Sequence, residues 1–201
     1  MKLSRRSAAP GFSLIELMVV VAIMAIMGAL LTSVTSSRHQ RNQKERCADN
    51  LQKIYLALQI YANDYKGSLP ANTNATTSED ALDALVPKYS ADTTIFICPG
   101  GRDSQIPSGE PLSRHKISYA YYMGRRLDKP EAVLLSDRQV NTESKFPGEL
   151  VFSKDGKSPG NNHHKFGGNF LMADGSVQAS GPQLTFSLAA TPGVMLLNPK
   201  P

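Results

Sequence analysis

Residues 12–31 of the chain read FSLIELMVVVAIMAIMGALL, and Glu16 is the only charged side chain in this run. A helix rises about 1.5 Å per residue, so about twenty residues reach roughly 30 Å, the thickness of the hydrocarbon core of a bilayer. The apolar part of an ordinary secretory signal is shorter and is followed by a small-x-small cleavage site, which is not evident here. The run therefore predicts a transmembrane helix.

The charges before this run predict its orientation. Lys2, Arg5 and Arg6 precede the apolar residues. Because positive residues stay on the cytoplasmic side of a membrane, we expect a cytoplasmic N-terminus and an extracytoplasmic location for the bulk of the chain. These three residues also supply much of the formal net charge of +5. Without them the side chains carry only about +2, which gives little support to binding of a phosphate backbone.

The distribution of the remaining basic residues also gives little support to nucleic-acid binding. One basic cluster lies between Arg38 and Arg46, just after the apolar run, and no stripe of Lys and Arg interleaved with aromatic residues follows it. The cluster is interpreted as a solvated helix face beyond the membrane. No nucleic-acid partner is expected from this pattern.

Glu16 is a candidate functional residue, because an ionisable group inside an apolar span requires a partner. Cleavage after Gly11 would create a new amino terminus at Phe12, and Glu16 would then lie about one helical turn further along the chain. Its carboxylate could pair with that amino group or with the amino group of a neighbouring subunit. The alternative is a glutamate near the membrane surface that reaches water.

The residues around this position resemble a known processing signal. Arg5 and Arg6, followed by Gly11 and then Phe-Ser-Leu-Ile-Glu-Leu-Met-Val at 12–19, are similar to the signal of type IV prepilins and type II secretion pseudopilins. The resemblance implies that a membrane prepilin peptidase cuts after Gly11 and that Phe12 becomes methylated. It also implies that Glu16, the fifth residue of the mature chain, takes part in assembly. The implied partners are other pilin or pseudopilin subunits and an inner-membrane assembly platform.

Apolar residues continue at helical spacing beyond the predicted membrane segment. They recur three and four positions apart from Cys47 to Tyr65, before Gly67 and Pro70, and predict one helix over 12–65. Thr77 resembles the N-cap of a short helix that stops at Pro87. Short apolar runs at 94–97, 117–122, 132–136 and 149–152 are interpreted as strands. Residues 169–179, with Asp174-Gly175 in the middle, predict a hairpin.

The predicted fold is therefore α+β and pilin-like. A long N-terminal helix, half transmembrane and half amphipathic, packs on a small antiparallel sheet. We expect a leader at 1–11, a transmembrane and assembly helix at 12–34, and a periplasmic head at 35–201 that includes the amphipathic half of the helix. The predicted location is the inner membrane, with a single pass, as part of a pilus or pseudopilus.

A second resemblance covers the rest of the chain to about residue 180. The chain is similar to a prepilin-like family in which a histidine, nine residues and Asp-Gly occur near the C-terminus, matched here by His164, Asp174 and Gly175. The other matching positions are Cys47, Asn50, Leu51, Ala57, Leu58, Tyr61, Asp64, Pro70, Cys98, Pro99, Ser118, Tyr119 and Asp137. We interpret His164 and Asp174 as structural residues that stabilise the terminal hairpin by hydrogen bonds.

The two cysteines, Cys47 and Cys98, do not have the spacing of metal ligands. Outside the cytoplasm they could form one disulfide. The alternatives are two separately buried thiols or a pair that stays reduced.

The sequence contains no recognisable catalytic motif, and an enzyme is not predicted. No cofactor is expected, except that Ca²⁺ held by Asp137, Asp155 or Asp174 is conceivable, since some major pseudopilins bind it near their C-terminal strands. The leading hypothesis is a structural subunit of a type II secretion or type IV pilus-like filament. The alternative is a membrane-tethered binding or hydrolytic domain that uses the helix only as an anchor.

Overall fold

The structure, a computed structural model, describes residues 13–101, 103–160, 165–189 and 191–201, without the side chains of residues 31–37. The chain divides at His39/Gln40 into two compact units. Helix α1, Leu14–Asp64, contributes to both. Within the described residues, the first unit consists of Ser13 and the part of α1 up to His39. The second unit contains the C-terminal part of α1 and all other elements.

The second unit contains a short helix, α2, at Ser78–Leu82, and three 3-10 helices at Asp83–Leu85, Thr93–Phe96 and Leu112–Arg114. Its five strands are β1 Tyr119–Met123, β2 Val133–Asp137, β3 Gly168–Met172, β4 Val177–Ser180 and β5 Met195–Leu197. They form one sheet in the order β4-β3-β2-β1-β5, and every neighbouring pair is antiparallel. The predicted α+β class is confirmed.

One face of α1 is buried against the sheet. Leu51, Ile54 and Leu58 are completely buried and follow the helical repeat. They belong to one apolar cluster with Tyr121 and Leu171 from the sheet. Because alternate side chains of a strand point to opposite faces, the neighbouring strand residues belong to a second cluster. The strand residues of that cluster are Tyr122, Val133, Phe170 and Met172, and the loops after β2 and β4 add Val151, Phe152 and Leu184.

Two of the predicted strands are wrong. Residues 94–97 fall largely within the 3-10 helix Thr93–Phe96, where the Asp92 carboxylate accepts the Thr94 N–H at 3.0 Å and so favours a helical turn. Residues 149–152 form no strand, and their pairing is limited to an isolated bridge between Leu150 and Gln183. The predicted hairpin at 169–179 is confirmed as β3 and β4.

The C-terminal residues, to which the sequence assigned no role, complete the sheet. Strand β5 pairs with β1, and Leu197 lies opposite Tyr121. Beyond it, the buried Glu79 carboxylate accepts the Lys200 N–H at 2.9 Å and the Ile117 N–H at 3.0 Å. The Arg138 guanidinium donates to the Pro199 and Lys200 carbonyls. A buried carboxylate and a buried guanidinium therefore fix the end of the chain against the head.

Candidate functional site

The described part of the processing segment begins at Ser13, next to the predicted methylation position. The Glu16 carboxylate accepts the Ser13 N–H at 2.9 Å. This N–H is one of the donors that a helix leaves unpaired in its first turn, and a carboxylate there is favoured by the helix dipole. Glu16 therefore has a local partner within its own turn. Gly11 and Phe12, the predicted processing residues, lie outside the described residues.

The helix that follows exposes large apolar side chains on all sides. Consecutive positions from Leu17 to Val21 are each exposed by 45–64%, so the apolar surface is not limited to one stripe. The other exposed apolar residues of this part are Leu14, Ile15, Ile23, Met24, Ile26, Met27 and Leu30. A helix that is apolar all round is typical of a segment surrounded by protein or lipid. This surface therefore requires an apolar environment that the first unit does not itself provide.

A transmembrane helix over 12–34 is not confirmed by the structure. Among the residues that the structure describes, no helix combines the length and the apolar character needed to cross a membrane. The predicted apolar run extended from Phe12 to Leu31, and neither Phe12 nor the Leu31 side chain is described.

In the second unit, α1 is joined to the head by a series of polar contacts. The Asn50 amide donates to the Ile97 carbonyl at 3.0 Å. Five residues later, the Tyr55 hydroxyl donates to the Ala173 carbonyl at 2.9 Å. The Asp64 carboxylate, at the end of the helix, accepts from Lys88 at 2.9 Å. These contacts supplement the apolar burial and fix the rotation of the helix about its axis.

A covalent contact lies in the same series. Cys47 and Cys98 form a disulfide with a Cα–Cα distance of 5.4 Å, and both residues are at most 1% exposed. The disulfide joins α1 to the segment that follows the second 3-10 helix. The sequence had left open whether these cysteines pair or remain separate thiols. Their pairing links two segments 51 residues apart.

A buried polar cluster lies beside the disulfide. The Asp137 carboxylate accepts from the Asn169 backbone N–H at 2.7 Å and from the Asn169 side-chain amide at 3.0 Å. The same amide donates to the Lys44 carbonyl of α1 at 2.9 Å. The Lys44 ammonium donates to the carbonyls of Phe166 and Ser180 at 2.8 and 2.7 Å. Lys44, Asp137 and Asn169 thus join α1 to strands β2 and β3.

Burial shifts the pKa values of both charged groups in this cluster. Removal from water raises the pKa of Asp137 to about 7, although the Asn169 N–H groups and the positive charge of Lys44 oppose the shift. Burial lowers the pKa of Lys44, and the charge of Asp137 opposes that change. Near neutral pH the protonated and the ionised forms of Asp137 are therefore similarly populated, which distinguishes it from an ordinary aspartate.

The Asp174-Gly175 pair forms the turn between β3 and β4, as the sequence predicts. The Asp174 carboxylate accepts the Ser176 N–H at 2.8 Å. Gly175 has a φ of +87°, and a Cβ at this position would lie 2.5 Å from Cε1 of Tyr55. The turn can therefore approach α1 closely only because residue 175 has no side chain. His164, the third residue of the motif, lies outside the described residues.

The three aspartates proposed as alternatives for calcium lie in different surroundings. Asp155 and Asp174 are exposed, and each accepts N–H groups from its own turn, whereas Asp137 is buried. In the described parts of the chain, one group of three potential metal-ligating residues lies within 4.8 Å, and it consists of Cys47, Cys98 and Asp137. Because the two sulfurs are bonded to each other, this group does not offer two thiolates. Calcium binding by one of these aspartates together with backbone carbonyls stays a prediction.

Sequence reasoning missed Lys44 and Asn169. The basic cluster at 38–46 was interpreted as a solvated face, but the Lys44 amine is bound to two carbonyls of the head. The position of Lys44 could have indicated this contact, because residue 44 lies three positions before the buried Cys47 and therefore on the same face of the helix. Asn169 carried no comparable signal, since its role depends on the register between β2 and β3.

Comparison with known proteins gives one match. The family model for the prokaryotic N-terminal methylation motif matches residues 6–32. No curated protein and no solved structure matches the chain. The motif agrees with a prepilin-type cleavage and methylation signal, and it supports a type IV pilin-like or pseudopilin-like protein, anchored to a membrane. It suggests a structural subunit rather than an enzyme, and it implies processing by a prepilin peptidase and assembly with other pilin subunits.

Proposed function

We propose that this chain is a structural subunit of a type II secretion or type IV pilus-like filament, with a pilin-like fold. The methylation motif at residues 6–32 carries the proposal. In this proposal the prepilin peptidase removes residues 1–11 and Phe12 is methylated. Residues 12–34 cross the inner membrane once, the N-terminus is cytoplasmic, and the head at 35–201 is periplasmic. An inner-membrane assembly platform then adds the subunit to a pilus or pseudopilus.

The exposed apolar helix supports this proposal. Its large side chains leave lipid and pack against the equivalent helices of neighbouring subunits. Because lipid tails are as apolar as leucine side chains, this exchange releases little hydrophobic free energy, and close packing and polar pairs must provide the preference for assembly. Glu16 is the charged residue of the apolar run and is therefore the group best suited to that role.

The local partner of Glu16 is compatible with an intersubunit contact. An ionised carboxylate has two oxygens that can accept several hydrogen bonds. The Ser13 N–H is bound to one of them, Oε2. The amino terminus of a neighbouring subunit can therefore bind the other oxygen while the first turn of the helix stays formed. Pairing lowers the cost of keeping either charge in an apolar environment.

A Glu16→Ala variant tests this role. We expect the variant to be inserted and cleaved after Gly11 but to enter filaments poorly, because the unpaired amino terminus of a neighbour would remain in an apolar environment. Quantification of subunits in sheared or cross-linked filaments measures the effect. Glu45→Ala, at an exposed position of the same helix, is the matched control and should assemble normally. Normal assembly of the processed Glu16→Ala protein would count against the proposal.

A further inference from the structure

The disulfide between Cys47 and Cys98 lies beside the carboxyl group of Asp137. One oxygen of Asp137 and the two sulfurs all lie within 4.8 Å of one another, and the three residues are at most 1% exposed. They come from three parts of the head, namely α1, the segment after the second 3-10 helix, and β2. Reduction of the disulfide therefore leaves two buried thiols next to a buried carboxyl group.

Two thiolates and a carboxylate form a ligand set that suits Zn²⁺. Zinc binds cysteine sulfur at about 2.3 Å and carboxylate oxygen at about 2.0 Å in a tetrahedral site, so its ligand atoms lie about 3.5–3.8 Å apart. Bonded sulfurs must separate by about 2 Å to reach this spacing, and rotation of the two cysteine side chains about χ1 provides that movement. Calcium and magnesium prefer sites that contain only oxygen ligands.

Neighbouring hydrogen bonds hold these groups in position. The Asn169 backbone N–H and side-chain amide donate to the Asp137 carboxylate at 2.7 and 3.0 Å. The Ser118 hydroxyl accepts the Cys98 N–H at 2.8 Å. Partners of this kind orient the ligands of metal sites. Two thiolates, a carboxylate and Zn²⁺ carry one negative charge together, and the positive charge of Lys44, which interacts electrostatically with Asp137, offsets it.

We propose that the reduced head binds one Zn²⁺ ion through Cys47, Cys98 and Asp137, at the place where the oxidised head has its disulfide. Reduction breaks the S–S bond with two electrons and two protons. When the reductant is a phosphine, it supplies the electrons and becomes a phosphine oxide, while one water molecule supplies the oxygen and both protons. Zinc then displaces the two thiol protons and any proton on Asp137, and a water molecule is the fourth ligand.

The metal and the disulfide exclude each other, because both use the same two sulfurs. The disulfide links two segments 51 residues apart, and zinc replaces that link in the reduced head while adding a contact to β2. Because the ligands are buried, we expect the ion to bind as the head folds. This inference does not depend on N-terminal processing or on filament assembly, since all its residues lie in the second unit.

Zinc binding by the full-length chain in detergent tests the inference. The chain is unfolded, reduced with a phosphine and refolded without oxygen, with or without Zn²⁺. We expect one zinc ion per reduced chain after free metal is removed, and none at these residues in the chain refolded with its disulfide. Zinc should also raise the denaturation midpoint of the reduced chain and leave that of the oxidised chain unchanged, because a ligand that binds only the folded state stabilises it.

Substitutions of the ligands identify the site. Asp137→Asn keeps the shape of the side chain but removes the carboxylate. Loss of a group that only orients a ligand weakens metal binding about 10- to 100-fold, so we expect this loss of a ligand to weaken zinc binding by more than about 100-fold. Cys47→Ser and Cys98→Ser should each abolish binding. Asp49→Asn, exposed on α1 two residues from Cys47, is the matched control and should bind zinc as the wild type does.

The wild-type chain alone can overturn the inference. Absence of bound zinc in the reduced chain, or a denaturation midpoint that zinc does not change, would contradict it without reference to the folding of any variant. Failure of the reduced chain to fold in the presence of zinc would count against it too, because zinc is expected to stabilise the folded head. Equal zinc affinities of the wild type and Asp137→Asn would show that Asp137 is not a ligand.

Discussion

Asp137 carries a carboxyl group that is 1% exposed and is bound by two N–H groups of Asn169. These hydrogen bonds favour the ionised form, whereas burial favours the protonated form. Burial is the larger effect, and the pKa rises from 3.8 to about 7. Among the described residues, Lys44 and Tyr119 interact electrostatically with this carboxyl group. The head therefore contains one acid that changes charge in the neutral range.

The raised pKa of Asp137 predicts how the stability of the head depends on pH. Between pH 3.8 and about 7 the folded state keeps this proton and the unfolded state loses it. The contribution of Asp137 to the free energy of unfolding is therefore greatest below this range, and it falls as the pH rises through it, by at most about 1.4 kcal/mol per pH unit. Above pH 7 the contribution stays constant.

Denaturant unfolding at several pH values, followed by tyrosine fluorescence because the chain has no tryptophan, measures this effect. The Asp137→Asn variant should lose this decline of the free energy of unfolding with pH, because asparagine has a similar side-chain shape but does not titrate. The comparison uses the slope with pH, because a change in packing or hydrogen bonding that does not titrate shifts the free energy of unfolding by a constant amount. An identical slope in both proteins would show that Asp137 does not titrate as described.

The turn between β3 and β4 gives a prediction about a single glycine. Gly175→Ala places a Cβ against the Tyr55 ring and forces a side chain into a positive φ, so we expect a loss of more than about 1 kcal/mol in the free energy of unfolding. Gly181→Ala is the matched control, since a Cβ there meets nothing within 4 Å and its change should stay within about 0.5 kcal/mol. Equal effects of the two substitutions would contradict the close contact between the turn and α1.

The disulfide gives a prediction about the attachment of α1. It closes a separation of 51 residues, for which the chain-entropy relation gives a stabilisation of about 4 kcal/mol. Reductant should therefore lower the denaturation midpoint of the wild-type protein. The double variant Cys47→Ala/Cys98→Ala should have a low midpoint that reductant does not change. If reductant left the wild-type midpoint unchanged, the disulfide would not contribute to the stability of the head.

Elements defined by local patterns could be predicted from the sequence. The helical repeat from Cys47 to Tyr65 predicted the buried face of α1, which ends at Asp64 in the structure. Thr77 was predicted to begin a helix, and the Asp80 carboxylate accepts its N–H at 3.2 Å. Asp174-Gly175 predicted the hairpin because that pair suits a tight turn. In each case residues that are adjacent in the sequence are sufficient to predict the element.

Elements that depend on distant partners could not be predicted. Strand β5 has three residues and exists because Leu197 and its neighbours pair with β1. Residues 149–152 have the composition of a strand, but the N–H groups of Val151 and Phe152 both donate to the Pro182 carbonyl and cannot form a ladder. The Lys44, Asp137 and Asn169 cluster likewise depends on three elements that are separated in sequence. Tertiary contacts override local preference at these places.

In the whole chain, the two compact units have different surfaces. The described helix of the first unit exposes large apolar side chains on every side. The second unit has two buried apolar clusters, one on each face of its sheet, and leaves a few large apolar side chains exposed, among them Leu56, Ile60 and Phe146. The second unit thus has a core of its own, whereas the helix of the first unit has none. This contrast is consistent with a subunit whose helix is surrounded first by a membrane and then by neighbouring helices in a filament.

The most direct test of this account is mass analysis of the N-terminal peptide from protein extracted from the membranes of its native host. The account predicts a chain that begins at Phe12 with one methyl group on its amino terminus. A chain that still begins at Met1 would contradict it.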